Sequence, residues 1–272
     1  MGRIEDKFKA LKERGQKALV VYLTAGCPDM EATREMIITL DRAGVDIIEL
    51  GVPFSDPTAD GPIIQGASQK ALKSGTTLGG VLNLLSEVRR NSDVPIVLFG
   101  YYNPIFAYGN EKFAKKAAEA GVDGVLVVDL PFEEAHELRR FTDPRGIDFI
   151  ALLAPTTGMG RIRQIADSAT GFLYFISITG VTGTMKPAIQ DIRRGVDQIK
   201  KVSSLPTVIG FGISTPAQAA EIAALGAGIV VGSALMKEID SVQREDRLIG
   251  AVSSFATGLK KAINSAGVFS AK

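Results

Sequence analysis

The sequence predicts an α/β fold, a (β/α)8 TIM barrel with an extra N-terminal helix, and three observations carry that prediction. Short apolar runs of the kind that form buried parallel strands recur at 18–23, 46–50, 95–99, 124–128, 148–153, 172–178, 207–210 and 228–231. Helical patterns lie between them, at 30–42, 78–90, 111–120, 132–141, 189–202 and 216–225, with a last helix expected from about 246 to 263. The joints also echo one another. Ala43-Gly44-Val45-Asp46, Ala120-Gly121-Val122-Asp123, Gly146-Ile147-Asp148 and Leu225-Gly226-Ala227-Gly228 each lead from a helix, or a loop after one, into a strand. Glycine just past a helix end is a C′ cap, so its recurrence marks a repeated βα unit. Eight strands alternating with helices close into a barrel. The competing architecture, a doubly wound open sheet, calls for a glycine fingerprint after the first strand, and none follows it.

Taken in order, Ile4, Phe8 and Leu11 share one face of an opening helix that ends at Gly15. The strand runs then deliver loops at their carboxyl ends, where a barrel keeps its chemistry. The first ends in Thr24-Ala25-Gly26-Cys27-Pro28 and the third in Gly100-Tyr101-Tyr102-Asn103-Pro104. The fourth gives Asp129-Leu130-Pro131, the fifth Ala154-Pro155-Thr156-Thr157, and the sixth Thr179-Gly180-Val181-Thr182-Gly183. The last two end in Gly210-Phe211-Gly212-Ile213-Ser214 and Gly232-Ser233. No linker-like or low-complexity stretch interrupts residues 1–272, so a single domain is expected.

The second strand is the informative one. Glu49 sits among isoleucines and leucine, and the run breaks at Gly51 into a loop holding Pro53, Asp56, Pro57, Asp60, Gly61 and Pro62. Three prolines stiffen that loop. A structural ion pair for Glu49 needs a cation, and none of the strand runs holds a lysine or arginine. A buried carboxyl without a partner is pushed up in pKa, which suits it to general acid and base chemistry near neutrality. Asp60 taken alone is weaker, since Asp-Gly is ordinary turn chemistry, and Asp56 could close an Asx-turn.

Gly212, Gly232 and Ser233, at the last two strand ends, fit a phosphate held by backbone N–H groups and a helix N-terminus. Turn glycines and an ordinary N-cap are the competing explanation. The stretch Thr179 to Thr184, with two glycines and three threonines, fits a closing lid or a plain surface loop.

Composition narrows the chemistry. The chain is 46% hydrophobic and 22% charged with a formal charge of +1, which gives no argument for nucleic acid or an anionic membrane. The charged, amphipathic first 17 residues do not read as a secretory signal, and no apolar run reaches spanning length. The one cysteine, Cys27, forbids an internal disulfide and fits a reducing compartment, so a cytoplasmic location is expected. His136, the one histidine, falls in a charged helical pattern and reads as a surface residue. One His and one Cys cannot make a typical zinc site, no strand lysine offers a Schiff base, and no Ser-His-Asp set is available. Carboxylate acid–base chemistry on a phosphorylated small molecule remains.

Leu50-Gly51-Val52-Pro53-Phe54-Ser55-Asp56-Pro57 followed by Ala59-Asp60-Gly61-Pro62 resembles the signature of the tryptophan synthase α subunit family. Tyr101-Tyr102-Asn103-Pro104, Gly180-Val181-Thr182-Gly183, Gly210-Phe211-Gly212-Ile213 and Val231-Gly232-Ser233 recur at that family's spacings, and the absence of tryptophan is in keeping with it. The resemblance covers essentially the whole chain. It implies cleavage of indole-3-glycerol phosphate into indole and glyceraldehyde 3-phosphate, with Glu49 as the acid and base and Asp60 on the indole N–H. It further implies that Gly183, Gly212, Gly232 and Ser233 hold the phosphate and that Tyr22, Tyr102, Tyr174 and Phe211 line the pocket. Thr182 would close towards Asp60.

No cofactor is implied in this chain. Pyridoxal phosphate belongs to the family's β subunit, the partner in an expected α2β2 heterotetramer, with contacts on the loop from Pro53 to Asp60 and the segment from Asn103 to Tyr108. Two departures stand out: no arginine precedes the Gly-Val-Thr-Gly stretch, and residue 22 is tyrosine where phenylalanine also occurs. Within enzymes, a stand-alone lyase releasing free indole or a sugar-phosphate isomerase would be the competitors, though the second lacks a Cys or His partner for Glu49. A non-catalytic activator of a β subunit is the alternative from another class.

Overall fold

The computed structural model describes residues 2–176, 189–242 and 244–267. The expected lid, with Thr182 and Gly183, lies outside the described residues, as does the end of the sixth strand run.

Among the described residues, nine parallel strands make up the sheet: β1 (Ala18–Thr24), β2 (Ile47–Gly51), β3 (Ile96–Gly100), β4 (Gly124–Val127), β5 (Asp148–Phe149), β6 (Ala151–Leu153), β7 (Leu173–Ile176), β8 (Thr207–Gly210) and β9 (Gly228–Val231). Their order is β5-β4-β3-β2-β1-β9-β8-β7-β6. Only Ile150 separates β5 from β6, and its side chain points into the barrel core. The fifth expected run is therefore one strand split in two, with β5 pairing β4 and β6 pairing β7. That split joins the two edges of the sheet, so the barrel closes.

Alternation along each strand sorts the core. Ala18, Val20, Ile47, Val97, Leu126, Phe172, Val208 and Val230 fill the barrel's inside, while the alternate residues pack under the helices. Helix α1 (Arg3–Glu13) plugs the amino-terminal end: Ile4, Phe8 and Leu11 are buried in the inner cluster, with the Phe8 ring 5.7 Å from that of Phe172. The amino-terminal half of the barrel interior is thus filled by apolar side chains, and the cavity that Glu49 lines lies towards the carboxyl end.

The repeated joints have a second purpose beyond capping. Gly44 and Gly121 take φ of 88° and 77°, the left-handed region that favours glycine. The aspartates two residues on then accept backbone amides from the neighbouring strand, Leu19 N–H to Asp46 and Ile96 N–H to Asp123, each at 2.8 Å. Lys260 of the last helix bridges to Asp46 at 2.5 Å, and Arg89 bridges to Asp123 at 2.7 Å, so both buried acids are paired.

The outer layer differs from expectation in places. The helix expected over 132–141 runs instead from His136 to Thr142, because Pro131 O accepts from Glu134 N–H and Ala135 N–H, at 3.0 Å each, in tight turns. His136 is exposed at its first position. Among the described residues, three helices were not expected: Pro62–Lys73, Tyr102–Tyr108 and Met159–Ser168. The first and third carry internal glycines, Gly66 and Gly160, and the second carries Pro104, all of which weaken a helical pattern. The long last helix, Glu245–Gly267, packs against Pro216–Ala223 and Met30–Arg42.

Candidate active site

At the carboxyl end of the barrel the inward positions become polar. Tyr22 of β1 stands in register with Glu49 of β2, and Glu49 with Val97 of β3. Glu49 is 1% exposed, and its Oε1 has no hydrogen-bond partner. Burial alone pushes its pKa up to about 8. The Tyr22 ring packs edge-on to Phe99 at 5.2 Å, and its hydroxyl oxygen accepts from Thr24 Oγ1 at 3.3 Å.

Above Glu49 opens a cavity of about 320 Å³, a size suited to a small ligand. Tyr22, Glu49, Tyr174, Phe211, Gly212, Gly232 and Ser233 all line it, together with Phe99, Ile63, Ile64 and Lys237. Seven of the expected site residues are thus brought to one place. Burial, and then the charge Glu49 carries once it is ionised at high pH, hold the Tyr174 phenol well above the usual range. Gly212 turns the chain at φ 37°, where a side chain would be strained. Ser233 is the first residue of helix Ser233–Ser241, which begins at the cavity wall and offers its free N–H groups there. A second cavity of about 310 Å³, lined by Val128, Leu152 and Leu153, meets the first at Ile176.

Asp60 sits half-buried on the loop between β2 and the next helix. Its expected stiffness has specific anchors: Asp60 N–H donates to Pro57 O at 3.1 Å, and Gln65 Nε2 to Asp60 O at 2.8 Å. Ala59 N–H donates to the Tyr101 hydroxyl at 3.0 Å. Burial raises the Asp60 carboxyl to about 6, partly offset by a hydrogen bond from the Tyr101 side chain. Asp56 is exposed and accepts from Ser55 Oγ at 2.5 Å.

Tyr102 stands elsewhere. Its hydroxyl takes a 2.7 Å bond from Asn110 Nδ2 and faces Glu137 at 3.2 Å, and its side chain is not among those lining the cavity. The adjacent Tyr101 is the tyrosine turned towards Asp60. Strand alternation could have found it, since Val97, Phe99 and Tyr101 share a face by period two. Lys237 was also missed; its signal was the four-residue step from Ser233, one helical turn. Cys27 is buried, and burial raises its thiol, as suits a packing residue. Among the described residues, no group of three His, Cys, Asp or Glu side chains could hold a metal ion.

Comparison with known proteins agrees with this geometry. The family model described as tryptophan synthase alpha chain matches residues 8–264. The tryptophan synthase alpha chain of Citrifermentans bemidjiense is 52% identical over 263 residues, covering 97% of this chain and 98% of that one. That of Geotalea uraniireducens is 47% identical over 267 residues, covering 98% and 100%. A crystal structure of tryptophan synthase subunit alpha from Legionella pneumophila superposes with a TM-score of 0.90 at 37% identity, covering 97% and 99%. With its sequence and its barrel matched over nearly the full length, the chain belongs to the tryptophan synthase alpha chain family, whose lyase reaction cleaves indole-3-glycerol phosphate in tryptophan biosynthesis.

Proposed function

We propose that Glu49 carries out both proton transfers of this cleavage, that Asp60 stabilises the charge formed between them, and that Gly183, Gly212, Gly232 and Ser233 hold the phosphate. The observation that carries the reading is the Glu49 carboxyl itself, buried with Oε1 unpartnered and with a pKa of about 8, at the wall of the cavity. At pH 7 such a group is about nine-tenths protonated, whereas Asp60, at about 6, is mostly ionised. Two carboxyls pushed apart in this way divide into an acid and an anion.

Glu49 gives its proton to indole C3, which leaves the ring an indolenine with positive charge shared onto nitrogen. The Asp60 carboxylate accepts the ring N–H bond and opposes that charge. Glu49, now a carboxylate, removes the proton of the hydroxyl on the adjacent side-chain carbon. The carbon–carbon electrons flow into the ring, indole and glyceraldehyde 3-phosphate separate, and Glu49 is protonated again. A retro-aldol cleavage needs an electron sink, and the protonated indole is that sink. No cofactor is therefore assigned to this chain, and pyridoxal phosphate is assigned to the β partner. Tyr22, Tyr174 and Phe211 enclose the ring, and Thr182 is assigned the lid contact towards Asp60. Tyr101, through its hydrogen bond, supports Asp60.

The family's partner is the β subunit. An α2β2 assembly in the cytoplasm, with residues 1–272 as one domain, completes the reading. The docking face is the loop from Pro53 to Asp60 with the segment from Asn103 to Tyr108. Phe106 there is 62% exposed, and the Phe54 and Tyr101 rings, 5.2 Å apart, link that face to Asp60. Incubation of the purified chain with indole-3-glycerol phosphate should yield indole and glyceraldehyde 3-phosphate in equal amounts, at least ~10-fold faster with a β subunit, or about 1.4 kcal/mol of barrier. Full speed without the β subunit would favour a stand-alone lyase. No cleavage under either condition, with β activity still stimulated, would make the chain an activator only.

A further inference from the structure

The cavity has one cation on its described wall, and the roles above leave it unused. Lys237 lies on helix Ser233–Ser241 one turn after Ser233, so both residues face the same side. Its natural partner on that helix would be Asp240, three residues on, but Lys70 of helix Pro62–Lys73 already bridges to Asp240. Lys237 itself makes no hydrogen bond or ion pair with a described residue. The sole carboxyl on the same described wall, Glu49, is mostly neutral at pH 7. An exposed lysine with its acid taken, beside Gly212, Gly232 and Ser233, has no structural duty to perform.

We propose that Lys237 is a specificity-determining residue, the cation that makes this cavity prefer a phosphate monoester dianion over an uncharged glycerol side chain. The proposal rests on the phosphate assignment above. Backbone N–H groups can bind any acceptor oxygen, whereas an ammonium distinguishes a dianion from a hydroxyl by charge. Because Lys237 is exposed, its attraction is screened and moderate, and it should fade as salt rises.

The test compares wild type, Lys237→Gln and Lys237→Arg, each assembled with a β subunit. Steady-state KM and kcat for indole-3-glycerol phosphate, the Kd of glycerol 3-phosphate by calorimetry at 0.05 and 0.5 M NaCl (~10-fold apart, to span the screening range), and the melting temperature are recorded. For Lys237→Gln we expect KM and Kd to rise about 10-fold at low salt, kcat to hold within about two-fold, and most of the Kd difference to vanish at high salt. Arginine should restore both constants, and melting should be unchanged. Unaltered KM and Kd, or an equal loss for unphosphorylated indole-3-glycerol, would overturn the proposal. Failure of wild type to cleave the substrate is a separate result and would count against the catalytic reading instead. In that case a Lys237-dependent Kd for glycerol 3-phosphate would still support the anion site.

Discussion

Replacing Glu49 by glutamine should make the protein more stable and less active, with the gain in stability governed by pH. The carboxyl is fully buried, and its pKa is raised from an ordinary 4.5 to about 8. Between those values the folded chain keeps the proton that the unfolded chain has released, so wild-type stability falls as pH rises through this window and levels off above it. At ~1.4 kcal/mol per tenfold change in acidity, the full displacement is about 5 kcal/mol, an upper bound for a group that neighbouring atoms can relax around. Glutamine has nearly the same shape and never ionises. The melting temperatures of the two proteins should therefore be close at pH 4.5–5 and diverge by up to roughly 10 °C at pH 9. Differential scanning calorimetry at half-unit steps would trace the gap, since contributions from all other groups cancel in the difference. A gap that stays flat with pH would mean that Glu49 is charged and partnered in the folded chain, and the acid–base assignment would lose its physical basis.

Other consequences can be checked alongside. The kcat/KM profile should be bell-shaped, falling below about pH 6 as Asp60 protonates and above about pH 8 as Glu49 ionises, and a profile flat from pH 5 to 9 would contradict both assignments. Tyr101→Phe removes a bond that favours the Asp60 carboxylate, so the acid limb should move to higher pH while the alkaline limb stays, with turnover falling about 10-fold. Gly51→Ala would set a methyl 2.2 Å from the Tyr22 hydroxyl oxygen, forcing the ring out of its place. We expect kcat/KM to drop about 10–100-fold, and adding Tyr22→Ala should recover melting temperature but not activity. Chelators, and borohydride with substrate present, should leave turnover intact, since the acid–base route uses neither a metal nor an imine; specific inactivation by either reagent would contradict it.

The parts of the site legible in the sequence were those where one residue type breaks a strong local pattern. Glu49 is a lone charge in a run of isoleucine and leucine, and its burial without a cation followed from the strand runs alone. The barrel was legible because its joints repeat, whereas the bonds that Asp46 and Asp123 accept from Leu19 and Ile96 cross between strands and leave no local mark in the sequence. Residues whose roles depend on direction were harder. Tyr101 and Tyr102 are neighbours of one type, and a family motif names the pair without saying which faces Asp60. Lys237 looks like any helix-surface lysine until Lys70 is found on Asp240 from another helix. Helix Pro62–Lys73 opens at the end of the catalytic loop with proline at its first turn, so loop and helix chemistry share the same residues there. The separation of the two carboxyls, about 8 and about 6, arises from different depths of burial and from Tyr101, and none of these is local in sequence.

The central assignment is that one carboxyl, Glu49, moves both protons. It is tested most directly by Glu49→Gln in complex with a β subunit, measuring single-turnover cleavage of indole-3-glycerol phosphate and, on the same sample, substrate affinity. We expect cleavage to fall by roughly 10²–10⁴-fold or more while Kd stays within a few-fold, because the amide fills the same space but cannot cycle a proton. Near-normal turnover in that variant would remove Glu49 from the mechanism.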